Sequence, residues 1–462
     1  MKPITKGAGS LVLLLSFLTS LLLSGCGSLT GAVRNAAGTA AITRYYTYGT
    51  YFQLEGTARL SDGDLSPKDV RSAALVLRAG PEEEDEVFRR KIPFSVSREK
   101  NTLAFRSASK LEEGLCLDTL PKGEYAALLE LTAKDGEVQR WTLRDGTGSE
   151  KKDPETPIEY YTLPYRHGRR KVTTAFRTFG ERETLVFEVR RSRLPKDVYD
   201  VVVDPGHGGK DPGARSGSLN ESDVVLSIGK QLASALERAG YKVLLTRDGT
   251  EDPNINMAYT EYDPDGRVNR TCASRAKLCL SLHLNSNKNA GQNGVQIYRA
   301  RQSTDAFAKC IANELVNGTA LDYSTMGGRT ARGVYTKTFS NRDIAEARSK
   351  ARKKGYTFYD VTTATDYFFM IREYGCLATG AYVDGRNPDY GTNEYRTANQ
   401  GVASCLCELG FLTNEHDRQV LLNGQRAVAR ALTNGVDRYI ASLYEAPANG
   451  APSTDLLAKE SI

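Results

Sequence analysis

Residues 201–232 read VVVDPGHGGKDPGARSGSLNESDVVLSIGKQL. An apolar run, Val201–Val203, leads into a glycine-rich loop holding one histidine, His207. Beyond the loop, Val224, Val225, Ile228, Leu232 and Leu236 recur at helical spacing. Strand, glycine loop, then helix is the opening of an α/β unit, and a strand apolar on both faces belongs inside a parallel sheet. Asn220 or Ser222 can cap the helix start, and Gly240 can end it. His207 falls just past the strand, where open parallel sheets gather functional residues. The glycines beside it remove bulk, so backbone and ligand can approach closely. The chain has only four histidines, so one in this loop asks for a role.

Working outward, the α/β pattern continues. YKVLLTRD predicts a second buried strand, KLCLSLHLNS a third and GVQIYRA a fourth. STDAFAKCIANELVNG predicts a helix, ASCLCELGF a late buried strand, and the stretch from Asn414 to Glu445 a closing helical segment. Strands alternating with helices imply a mainly parallel sheet with helices on both faces. Upstream the period changes. TYFQLEGTARL, AALVLRA, EYAALLELTA, QRWTLRD, KVTTAFRT and TLVFEVRRS alternate roughly every second residue between turn-forming clusters, which suggests an all-β, sandwich-like unit. Its aromatics, Tyr45, Tyr46, Tyr48, Tyr51, Trp141, Tyr160 and Tyr161, fit a packed core; a sugar-stacking surface is the alternative. The expected organisation is a leader over 1–25, a tether over 26–42, a β-rich domain over 43–194, an α/β catalytic domain over 195–445 and a disordered tail over 446–462.

The first residues carry an address. MKPITKGAGS has two lysines and no acid, and LVLLLSFLTSLLL is an apolar run of 13 residues. That is short for a membrane span, which takes about 20, and suits a signal-peptide core. The run closes in LSGC, Leu23–Cys26, which resembles the lipobox of bacterial lipoproteins. The resemblance implies cleavage before Cys26 and a lipid on its thiol, hence a cell-envelope location. A net charge of +6 over 462 residues fits an anionic surface or polymer. No Lys/Arg block interleaved with aromatics marks a nucleic-acid binder. Seven cysteines besides Cys26 stand at irregular spacing, without a disulfide framework or a structural-zinc pattern.

Three polar residues can meet at one edge of the sheet: His207 after the first strand, Glu221 opening the helix, and His283 ending CLSLH. Two histidines and a carboxylate are a complete protein ligand set for a catalytic Zn2+ with an open fourth position. Glu408, at the end of the late apolar strand, is costly to bury without a partner and can take a proton from the metal's water. DPGHGGKDPGA, NES, SLHLNS and ELGFLTN, in this order, resemble the zinc-dependent N-acetylmuramoyl-L-alanine amidases of the type 3 family over roughly Val198 to Tyr444. The resemblance implies peptidoglycan as substrate, cleavage between N-acetylmuramic acid and L-alanine, His207, Glu221 and His283 as zinc ligands, and Glu408 as catalytic carboxylate. Arg267, Asn285 and Arg372, the last in FFMIRE, are carried as supporting residues. Asp204 and Asp211 read as loop stabilisers.

The chain departs from the family pattern in places. Where the family has an acid before the second histidine, this chain has AKLC, with Lys277; the last strand reads CELGF. Residues 340–400 are longer than a minimal member needs, and a loop of that length is usually functional. Two other readings stay open: a zinc hydrolase acting on another bond of the wall peptide, and a non-catalytic wall-binding lipoprotein. The sequence names no protein partner.

Overall fold

The computed structural model describes residues 29–34, 36–60, 65–146, 158–164, 168–179, 182–255, 263, 265–326, 332–355, 361–375 and 400–445. Cys26, His167, the polar loop 376–399 and the tail 446–462 lie outside them. No helix among the described residues is long and apolar enough to cross a membrane.

Twelve strands, β1–β12, run from Gly38 to Arg191. Their alternation sends one face of each strand to a shared core, as in β12 (Arg182–Arg191), where Leu185, Phe187 and Val189 point inward. Ile42, Phe52, Leu54, Phe105, Leu129, Trp141 and Phe187 share a single core. The expectation was a sandwich. The strands are all joined by hydrogen bonds into one network of thirteen with the later β20 (Gln400–Gly401): β8 (Gly123–Ala133) pairs with β12 through 123–126 and with both β3 (Val70–Arg78) and β9 (Val138–Asp145) through 128–132. The stretch read as a tether is partly ordered: helix α1 (Leu29–Arg34) buries Val33 against Ala126 and Val186, and β1 (Gly38–Tyr48) begins within it.

The second sheet has the order β16-β13-β17-β21-β18-β19. β13 (Val201–Pro205) lies parallel to β16 (Val243–Leu245) and β17 (Leu278–Asn285), and β17 is parallel to β21 (Ala403–Phe411). β18 (Gln296–Arg299) turns antiparallel to β21 and carries β19 (Val334–Tyr335) beside it. Helices α2 (Glu221–Arg238), α4 (Ala306–Gly318) and α8 (Gln425–Glu445) cover one face over Leu280 and Leu282. α3 (Arg267–Ala273) and α6 (Phe369–Glu373) cover the other over Val202 and Cys279. The sheet is mainly parallel with helices on both faces, as the alternating pattern implied. One strand differs: β16 is a three-residue edge strand with partly exposed side chains, because nothing pairs beyond it. α5 (Asn341–Lys354) starts on a Ser340–Asp343 capping box. The closing segment is two helices, α7 (Glu415–Asn423) and α8, broken at Gly424. All six described cysteines are free.

The two sheets share buried surface. β20 (Gln400–Gly401) pairs parallel with Thr47 and Tyr48 of β1 and becomes the thirteenth strand of the first sheet. Tyr46, Tyr48, Tyr51, Leu111 and Leu163 belong to the core of the second sheet. The aromatics considered for sugar stacking are thus packing residues, all less than a tenth exposed. Polar contacts reinforce the contact surface. Arg169 Nη1 donates to Asp200 Oδ1 at 2.6 Å, and Thr304 Oγ1 to Glu112 Oε2 at 2.9 Å. Lys277 is buried, with its Nζ 5.3 Å from the centre of the Tyr160 ring. The departure from the family pattern at Lys277 therefore serves the contact between sheets, at the end of β17 opposite His283.

Candidate metal centre

His207, Glu221 and His283 meet at the C-terminal edge of the second sheet. His207 Nε2 lies 3.0 Å from Glu221 Oε1. His283 Nδ1 lies 3.1 Å from the same oxygen and 3.2 Å from His207 Nε2. Ligand bonds of about 2.0–2.1 Å in a tetrahedron put donors about 3.3 Å apart, so the three edges match one face of a zinc tetrahedron. Two buried polar atoms nearby, His283 Nε2 and Glu408 Oε2, have no hydrogen-bond partner, although buried polar groups are ordinarily paired. The donor set and its spacing fit a zinc ion held by His207, Glu221 and His283.

The local fold brings the donors together. His207 has a left-handed backbone, φ +62°, uncommon outside glycine and a mark of functional strain. A side chain at Gly206 would strike the His283 ring at 2.3 Å, and one at Gly213 would strike Glu221 Oε2 at 2.5 Å and His207 Cδ2 at 2.6 Å. These two glycines, more than the pair that follows His207, make room for the centre. Arg247 clamps the loop, its Nε donating to Pro205 O and its Nη2 to Gly206 O, both at 2.9 Å. α2 begins at Glu221 itself; Asn220, at the cap position, donates its side chain to Asp223. The amides of Ala214 and Leu284 donate to the Glu221 carboxylate at 2.7 and 2.9 Å.

Asp211 does more than stabilise its loop. Its Oδ2 lies 2.8 Å from His207 Nδ1, the outer contact that turns a ligating imidazole's other nitrogen toward the metal. Asp204 is a buried hub behind the site: Oδ1 accepts from Thr246 Oγ1 at 2.6 Å and from Arg267 Nη1 at 3.2 Å, and Oδ2 from Ser281 Oγ at 2.8 Å. Arg267 thus pairs with an acid behind the donors, and Arg372 pairs with Glu373 at 3.2 Å. Asn285 Nδ2 donates to Gln296 Oε1 at 2.7 Å.

Glu408 stands next to His283 in the β17–β21 register, so both side chains leave the same face of the sheet. Burial and the negative charge of Glu221 push its carboxyl up to about 8, against the opposing pull of His207 and Lys337. At His207 burial works downward, but hydrogen bonds to Asp211 and Glu221 outweigh it and raise the imidazole to about 9. Burial would raise Glu221, yet hydrogen bonds from the two histidines hold it well below the usual carboxylate range. One carboxylate is kept anionic among the donors and another is kept easy to protonate beside them. Such a split equips a site for metal-assisted hydrolysis with a proton carrier. Sequence reasoning missed Gln296 and Tyr298 on β18 and Lys337 after β19. Gln296 faces Glu408 across the strand pair, a register that no local motif announces.

The fold and the side-chain geometry define a candidate metal site on the C-terminal edge of an α/β sheet. Residues 201–367 match the family model described as N-acetylmuramoyl-L-alanine amidase, a range that includes the three donors but stops before Glu408. The chain is 29% identical over 245 residues to N-acetylmuramoyl-L-alanine amidase AmiC of Neisseria meningitidis serogroup B, covering 52% of each protein. It is 31% identical over 149 residues to the germination-specific N-acetylmuramoyl-L-alanine amidase of Bacillus subtilis, or 31% of this chain and 62% of that one. The chain thus spans about half the length of the first of these relatives. Among solved structures, N-acetylmuramoyl-L-alanine amidase AmiC2 of Nostoc punctiforme aligns with 24% identity and a TM-score of 0.35, over 53% of this chain and 98% of that one. The domain match and the named relatives support the amidase family for the second sheet.

Proposed function

We propose that the chain is a zinc-dependent peptidoglycan hydrolase that cleaves the amide joining N-acetylmuramic acid to L-alanine. The observation that carries this reading is the trio of donors at tetrahedral spacing, with the unpartnered carboxylate of Glu408 on the neighbouring strand. The family match and the amidase names of its relatives support the choice of bond. Zinc, held by His207, Glu221 and His283, would lower the pKa of a water molecule and polarise the scissile carbonyl. Glu408 takes the proton from the attacking water and hands it to the leaving nitrogen of L-alanine. Asp211 holds the His207 ring, and Asp204 with Arg267 holds the strand ends in place.

The test is a digest of purified peptidoglycan by residues 27–462, read by mass spectrometry. Stem peptides with a free L-alanine amino terminus are expected, lost on chelation and restored by zinc. Release of fragments cut at another bond would sink the amidase reading, and activity surviving full chelation would sink the zinc. The proposal includes a lipid on Cys26, supported by the apolar run and the Leu23–Cys26 motif, that holds the enzyme on a membrane facing the wall. Cys26→Ala is expected to move the protein from the membrane fraction to the soluble fraction; unchanged partitioning would refute the anchor.

A further inference from the structure

Beside Glu408 the sheet edge carries a row of rings. Gln296 faces Glu408 across the β18–β21 pair, and Tyr298, two residues on, leaves the same face of the sheet. From Tyr298 the row runs one way to Tyr335, with ring centres 5.6 Å apart, and the other way to Phe368 at 4.8 Å. Phe368 continues to Tyr367 at 5.5 Å. All four rings are half-buried and keep part of their surface open. Tyr298 is anchored by its hydroxyl, which donates to Gln296 Oε1 at 3.2 Å.

Lys337 lies over this row. Its Nζ is 4.0 Å from the centre of the Tyr367 ring and 5.2 Å from that of Phe368. The side chain is exposed and makes no ion pair among the described residues. The acid nearest in sequence, Asp343, is engaged by Ser340, whose amide and hydroxyl both donate to its Oδ2, at 2.8 and 2.6 Å. An exposed ammonium held on aromatic faces, near Glu408 and in no ion pair among the described residues, is a receptor for a carboxylate that arrives with the substrate.

We propose that Lys337 is a specificity-determining residue that binds the free carboxylate on the second residue of the stem peptide, with Tyr298, Phe368 and Tyr367 packing along the peptide. This rests on the amidase reading above. With the scissile amide between the zinc donors and Glu408, an extended peptide advances about 3.3–3.6 Å per residue. Tyr298 stands two strand residues from Gln296, the partner of Glu408, or about 7 Å, so a second residue running along β18 would reach the rings that Lys337 covers. The proposal therefore gives the side with Lys337 to the peptide.

The experiment uses the full zinc-loaded chain and two muropeptides that differ only in the second residue, one with a free carboxylate and one with a carboxamide. Wild type is expected to cut the carboxylate form with kcat/KM about 10-fold or more higher, the usual worth of a hydrogen bond to a charged group. Lys337→Met is expected to abolish that preference through KM for the acidic substrate, and Lys337→Arg to restore it. Because the side chain is exposed, the melting temperature of the methionine variant serves as a check on folding. Equal wild-type rates on the two substrates, or a Lys337→Met loss of equal size on both, overturns the proposal. Failure of wild type to cut either substrate overturns the amidase reading instead.

Discussion

Replacing Glu408 with glutamine is expected to lower amide turnover by roughly 10²–10⁴-fold, the range for loss of a positioned acid–base group, while zinc content stays at the wild-type level. The carboxyl lies outside the donor trio, so the ligand set survives the change. Stability should move the other way from activity. In the metal-free protein the Glu408 carboxyl is pushed up to about 8 from 4.5 by burial and by Glu221. Below pH 4.5 it is protonated in both folded and unfolded chains and costs nothing. As pH rises from there to about 8, the unfolded chain ionises while the folded one resists, so Glu408 increasingly opposes folding. Glutamine removes that opposition. The variant is therefore expected to melt higher than wild type near pH 8 and to show no gain below pH 4.5. Thermal melts of the two metal-free proteins across that range, with peptide release and metal analysis of the loaded forms, check all three outcomes. A variant that keeps full turnover with its zinc in place would remove Glu408 from the chemistry.

Separating the two sheets is expected to cost most of the stability of the second. Tyr46, Tyr48, Tyr51, Leu111 and Leu163 sit in its core. Each such side chain is worth about 1.5–3 kcal/mol when fully buried, and together they approach the roughly 5–15 kcal/mol by which a folded protein is stable at all. Asp200 would lose Arg169, and Lys277 would lose the ring of Tyr160. β20 would lose its pairing with β1, and β20 leads directly into the strand that bears Glu408. Residues 195–445 expressed alone are expected to aggregate or to melt far below the full chain. A fragment that melts at the same temperature and holds zinc as tightly would show that the contact between sheets is incidental to the site.

Much of the candidate site was legible because parallel strands advertise themselves. Val201–Val203 and the run before His283 are apolar on both faces, so their ends could be located, and His207, His283 and Glu408 stand at those ends. Helical spacing placed α2 and with it Glu221. What stayed hidden depends on partners far away in the chain. Aromatics on alternating strands look alike whether they face a core or a sugar, and only the second sheet decides the fate of Tyr46 and Tyr48. Lys277 looked like a stray departure until the first sheet supplied Tyr160. Gln296, Tyr298 and Lys337 escaped because they meet Glu408 through an antiparallel strand in a mostly parallel sheet. YKVLLTRD has the composition of an inner strand but no neighbour beyond it. Asp211 was noticed as a loop acid, but its contact with His207 depends on a backbone turn that the sequence marks only with glycines.

The left-handed backbone at His207 sets local comfort against use. At φ +62° a glycine would sit more easily than an imidazole. Position 207 is thus where backbone preference and the proposed ligand role pull apart: glycine there relaxes the loop and removes one of the three candidate donors.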